Sequence, residues 1–122
     1  MEKKGQYRYT KEVSEVHENV KKLFKKYSGL ELANADFVSA LWIENFASKG
    51  KVFFIVSKNI LYNNTAGPFE QISVKSISGV NHVMQIDITT NDGKKYIAFK
   101  FSILPEEMRA FLMGDINTAR SA

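Results

Sequence analysis

The chain has 122 residues, 44% hydrophobic and 25% charged, with nine Phe, five Tyr and one Trp; that balance excludes a disordered chain and predicts one domain with its own core. The absence of cysteine excludes disulfides, thiolate metal sites and cysteine nucleophiles, and fits a reducing compartment. Net charge is +4, and the excess lies in residues 1–31, where eight Lys and Arg face five Glu, so an electrostatic partner would meet that segment first.

"MEKKGQY" opens polar, and "YTKEVSEVHENVKKLFKKYSGLE" then takes a helical period. Val13, Val16, Val20, Leu23, Tyr27 and Leu30 recur at steps of three and four, and Phe24 widens the stripe. The spacing predicts one amphipathic helix of about five turns, with Thr10 as N-cap and Gly29 as stop. A face that long needs cover, and packing on the chain's own sheet is expected ahead of a second copy or an external partner. From Asp36 the period shortens. "FVSALWIENF" (37–46) and "KVFFIVS" (51–57) read as strands around "ASKG", whose Gly can take a positive φ. "NILYNN" follows across the polar turn Ser57-Lys58-Asn59, "TAGP" is a loop, and "FEQISVKSI" is a fourth strand. "HVMQIDITTNDGKKYIAFKFS" is a hairpin: Met84, Ile86 and Ile88 alternate with polar residues, Asn91-Asp92-Gly93 turns, and Tyr96, Ala98 and Lys100 alternate against Ile97, Phe99 and Phe101. From Pro105 a second amphipathic helix carries Met108, Phe111, Leu112 and Ile116 on one stripe. Short connections throughout the six strands favour an antiparallel meander.

The segment "FFIVSKNILYNN" resembles the "lTnkRliy" hairpin of bacterial pleckstrin-homology-like (PH-like) domains, with Ser57 in place of the usual Thr and Ile60-Leu61-Tyr62 as the returning strand. "FEQISVKSISGV" and "MQIDITTNDGKKYIAFKF" are similar to later strands of that fold, and the helix from Pro105 to its C-terminal cap. The resemblance spans residues 35–120 and implies an α+β fold: a bent antiparallel sheet or barrel of six to seven strands, a capping helix, and an extra N-terminal amphipathic helix in residues 1–31. The whole chain, 1–122, is expected to be one domain.

Catalysis needs converging groups, and His17 and His82 are the only histidine bases available; neither sits in a motif, and both fit boundary positions. No zinc-ligand spacing, phosphate loop or nucleophile elbow occurs, so no enzyme, metal or cofactor is expected. Lys21, Lys22, Lys25 and Lys26 form a basic stripe on the first helix, and Lys49, Lys51 and Lys58 lie around the first hairpin. In phosphoinositide-binding members of the wider fold that hairpin carries clustered cations, but here Phe53 and Phe54 replace the second basic position, so the resemblance implies the fold more than a lipid. "NNT" at 63–65 reads as turn residues, and Trp42 as a core anchor. The expected function is a non-catalytic protein-interaction module, with self-association as one form. Attachment to an anionic membrane through these lysines is the alternative, and nucleic acid is not an expected partner.

Overall fold

In the computed structural model, which describes residues 2–4, 6–65, 69–82, 86–99 and 106–121, β1 (Glu2–Lys4) and β2 (Tyr7–Thr10) form a hairpin that leads into β3 (Phe37–Ile43). β4 (Val52–Ser57), β5 (Ile60–Thr65) and β6 (Phe69–Ser73) complete a six-stranded antiparallel meander in chain order. After a 3₁₀ turn at Val74–Ser76, β7 (Ile77–His82), β8 (Ile86–Thr90) and β9 (Lys95–Phe99) form a second, three-stranded antiparallel sheet. Helix α1 (Glu18–Ser28) precedes β3, and α2 (Glu106–Arg120) closes the chain. The fold class is α+β.

The unbroken apolar run at 52–56 is explained by two cores. Phe53 and Ile55 face α1 and pack with Val16, Val20, Phe24, Ala40, Trp42 and Tyr62. Phe54 and Val56 face the other way and join Tyr9, Leu41, Leu61, Val80, Ile88, Leu112 and Ile116. A strand covered on both faces has no polar side, so alternation is lost from its sequence while the pleat remains. The middle of the expected stripe, Val16, Val20 and Phe24, thus meets the chain's own sheet, whereas Tyr27 and Leu30 at its C-terminal end are exposed. Phe24 is fully buried and meets Tyr62 edge-on, with ring centroids 4.8 Å apart.

Five expectations need correction. The single long N-terminal helix is instead β2, a 3₁₀ turn at Val13–Glu15 and an eleven-residue α1. Tyr7-Arg8-Tyr9-Thr10 extends because β2 gains a ladder with β3 and buries Tyr9, and tertiary pairing outweighs helical propensity there. Thr10 does not cap the helix: its Oγ1 accepts from the Glu12 N–H at 3.0 Å, ahead of the 3₁₀ turn, and His17 is the N-cap of α1. The single strand expected over "FEQISVKSI" is two strands in different sheets, parted by the 3₁₀ turn. The six expected strands are nine among the described residues. Asn63 and Asn64 belong to β5 and are buried: Asn63 Nδ2 donates to Glu70 Oε1 and to Ile97 O across to β9, and Asn64 Nδ2 donates to Lys51 O. These Nδ2 bonds offset part of the cost of burying the amides, while Asn63 Oδ1 is buried without a hydrogen-bond partner. The 66–68 loop, Met84, Lys100, Phe101 and Pro105, and the side chains of His82, Ile86, Ala98, Phe99 and Met108, lie outside the described residues.

Helix α2 lies against the inner core through buried Leu112, Asp115, Ile116 and Ala119. Phe111 is half-buried and stacks on Tyr9, centroids 4.9 Å apart. Its truncation to Ala removes part of an aromatic contact, and a loss of about 2 kcal/mol in chemical denaturation is expected. A change below about 0.5 kcal/mol, the usual range of a surface site, would contradict the packing. The two guanidinium groups of α2, Arg109 and Arg120, donate to the Val80 and Ile77 carbonyls and fasten the helix to β7.

The Tyr9 hydroxyl donates to the buried Asp115 carboxylate, which Lys11 Nζ approaches at 3.8 Å. Burial, then the Asp115 hydrogen bond and charge, raise the Tyr9 phenol above its ordinary value; burial also raises Tyr62. A raised folded-state pKa of an acid means that the unfolded chain loses its proton first. Stability is therefore full below about pH 10 and falls as pH rises above it. Tyr9→Phe should flatten that alkaline loss in denaturant titrations between about pH 9 and pH 11. An unchanged slope would contradict the assignment.

Candidate docking loop at the end of the six-stranded sheet

The connection between β3 and β4, residues 44–51, is the most elaborately held loop among the described residues. Ile43 O accepts from the Gly50 N–H at 2.8 Å, Asn45 O from the Lys49 N–H at 2.8 Å, and Ser48 O from the Lys51 N–H at 2.6 Å. Asn45 Oδ1 accepts from the Ser48 N–H at 2.6 Å. Three neighbours then brace the loop. Asn45 Nδ2 donates to Gln6 Oε1 in the β1–β2 turn at 2.9 Å, Asn19 Nδ2 of α1 to Lys49 O at 2.7 Å, and Asn64 Nδ2 of β5 to Lys51 O at 2.6 Å. Lys49 stands at φ 27° and Gly50 at φ 76°. A lysine in the left-handed region is strained, and such strain persists only where surrounding contacts fix it.

This braced loop presents Phe46 almost wholly to solvent, 91% exposed, with Lys49 Nζ 5.7 Å from its ring centroid. A lone exposed aromatic is common on protein surfaces, but an aromatic on a backbone held by so many bonds is pre-organised for contact. Glu44, at the loop's start, accepts from Trp42 Nε1 at 2.6 Å through one carboxylate oxygen and lies 3.6 Å from His17 Nε2 through the other. Trp42 itself is buried in the outer core, as an anchor of β3.

The cations expected to act together are distributed otherwise. Lys49 and Lys51 share the loop and are exposed. Lys58 lies in the β4–β5 turn at the opposite end of β4, whose six residues span about 20 Å, and its N–H donates to Asp36 O. On α1, Lys21 pairs with Glu18 at 3.7 Å and Lys25 with Glu31 at 2.6 Å. Lys26 lies 5.7 Å from the Tyr27 centroid, and Lys22 is exposed. Two of the four lysines of α1 are thus paired with carboxylates, Lys21 with Glu18 on the helix and Lys25 with Glu31 beyond its end. Ser57-Lys58-Asn59 is a turn stabilised locally, Ser57 Oγ accepting from the Ile60 N–H and donating to Ile60 O.

Phe46 was hidden in the sequence because "FVSALWIENF" reads as one strand to its end. The ladder stops at Ile43, and the signal that could have shown this is Glu44-Asn45, a charged residue and a turn-former just before the Phe. Among the described residues no group of three His, Asp or Glu is placed to hold a metal, and no helix is long and apolar enough to cross a membrane. Comparison with protein-family models, with curated proteins and with solved structures gave no match.

Proposed function

We propose that the chain is a non-catalytic interaction module with a PH-like core, which docks onto a protein partner through the 44–51 loop. Support for the core comes from strand count and order. Seven strands from β3 to β9, divided four and three between two antiparallel sheets and followed by a C-terminal helix, fit the six to seven strands and capping helix that the hairpin resemblance implies. On this reading the β1–β2 hairpin and α1 are additions that widen the first sheet and cover its outer face.

The observation that carries the docking function is Phe46, 91% exposed on a loop whose backbone is fixed by its neighbours. Magnitudes favour protein over membrane as the occupant. Burying one Phe contributes about 1.5–3 kcal/mol, and a lysine near an anionic surface about 1 kcal/mol. One Phe with Lys49 and Lys51 therefore reaches about 3.5–5 kcal/mol, a dissociation constant near millimolar, weaker than the single acyl chain that already anchors only marginally. An aromatic seated in a protein pocket and ringed by excluded water can by itself contribute more than 2 kcal/mol within a larger interface.

The test is site-specific photo-crosslinking in the cells that make the protein, with a benzoylphenylalanine at position 46 and, as control, at the exposed strand position Ser78. A discrete protein adduct from 46 and none from 78 is the expected result. Adducts of equal yield from both positions, or none from 46 while the chain floats with phosphatidylserine vesicles in a salt-sensitive way, would overturn the reading in favour of no site or of a membrane.

A further inference from the structure

The root of the loop is held by a histidine. His17 Nδ1 accepts from the Asn19 N–H at 2.9 Å, which makes the ring the N-cap of α1. Its Nε2 faces Glu44 Oε1 at 3.6 Å. The ring and Val20 pack so closely on Gly50 that a Cβ there would stand 3.1 Å from His17 Nδ1 and 3.1 Å from Val20 Cγ2. Asn19, whose N–H makes the cap bond, uses its side chain to hold Lys49 O. One ring therefore joins the first turn of α1 to both ends of the segment that presents Phe46.

We infer that His17 is a positioning residue for the docking loop and that its grip is released by protonation. This rests on the reading of the loop as a docking element. An imidazole satisfies both contacts in one state alone: Nδ1 without a proton, to accept from Asn19, and Nε2–H directed at Glu44. When a proton is added at Nδ1 the acceptor becomes a donor facing another donor, and the cation stands at the positive end of the α1 dipole. The cap bond is lost, the ring is drawn to Glu44, and Asn19 loses the support that aims its side chain at Lys49. The charged groups around the ring set the balance: Glu44 and Lys49 on the loop, Glu18 and Lys21 on the first turn of α1, and Arg8, which pairs with Trp42 and so shares the α1-facing side of β2. Docking through Phe46 is therefore firm at neutral pH and weakened in an acidified compartment.

Amide hydrogen exchange of the free protein, corrected for intrinsic rates, reads the latch without any partner, so it can fail independently of the docking reading. Between about pH 7.5 and pH 5.5, the interval in which imidazoles change charge, protection of the Asn19 N–H should fall about five- to tenfold, as a lost N-cap implies. Protection at Phe24, deeper in the helix, should hold. His17→Asn supplies a capping oxygen that does not titrate, and its Asn19 protection should be the same at both pH values. Emission of Trp42, the single tryptophan, whose indole N–H is bound to Glu44, should shift over the same interval in the parent and stay flat in His17→Asn. Unchanged Asn19 protection in the parent, or an equal fall in His17→Asn, would overturn the inference.

Discussion

Replacing Phe24 by Ala should lower stability by about 3–5 kcal/mol, the usual cost of removing a fully buried phenylalanine. Its ring is 0% exposed and is the central apolar group of α1, set between Tyr62 and the outer core of Val20, Trp42, Phe53 and Ile55. Such a loss is about a fifth or more of the stability of an ordinary domain. Urea titration followed by far-ultraviolet dichroism measures it. Because α1 also braces the 44–51 loop through Asn19, the variant should show faster exchange at Lys49 and Gly50 even in the absence of denaturant. Stability within about 0.5 kcal/mol of the parent would mean that α1 rests on the sheet without anchoring there.

Gly50→Ala should have the next largest effect, about 3 kcal/mol, for two separate reasons. Its φ of 76° is unfavourable for any residue with a Cβ by about 1–2 kcal/mol. The added methyl would also press on His17 and Val20 at 3.1 Å, and neither is the free end of a long flexible side chain. Gly29, at φ 77° with open space around its Cα, supplies the control: Gly29→Ala keeps the backbone cost without the steric one. Thermal unfolding of the two variants should therefore rank Gly50→Ala as the more destabilised. Equal midpoints would remove the packing of His17 on the loop from the account.

Elements with a single strong period were legible in the sequence, and those decided by partners distant in the chain were not. The β8–β9 hairpin and α2 were visible because Asn91-Asp92-Gly93 and the Phe111, Leu112, Ile116 stripe are local signals. β4 was visible as a strand, and its two-sided burial accounts for a run that lacks alternation. β2 was not visible, since Tyr7 and Tyr9 become strand residues only by pairing with Ile43 and Leu41, more than thirty positions away. The burial of Asp115 and Asn63 was equally hidden. A carboxylate or an amide enters a core only when Tyr9, or Glu70 and the Ile97 carbonyl, wait there to bind it. Of the candidate site, Lys49 and Lys51 were identified and Phe46 was not. Sequence marks charge directly, whereas the exposure of an aromatic depends on where the ladder ends. Lys58 fell away for a metric reason, because a six-residue strand places the two turns at its ends far apart.

The central claim is that a pre-organised Phe46, rather than net positive charge, carries docking. The measurement that tests it is the affinity of the partner captured at position 46 for the parent, for Phe46→Ala and for the double variant Lys49→Gln/Lys51→Gln, beside the thermal midpoint of each. The account predicts unchanged midpoints, a loss of about 30-fold or more for Phe46→Ala, equivalent to about 2 kcal/mol, and a loss of under about tenfold for the lysine pair. Parent-like affinity in Phe46→Ala, or a larger loss from the lysines than from the phenylalanine, would contradict it.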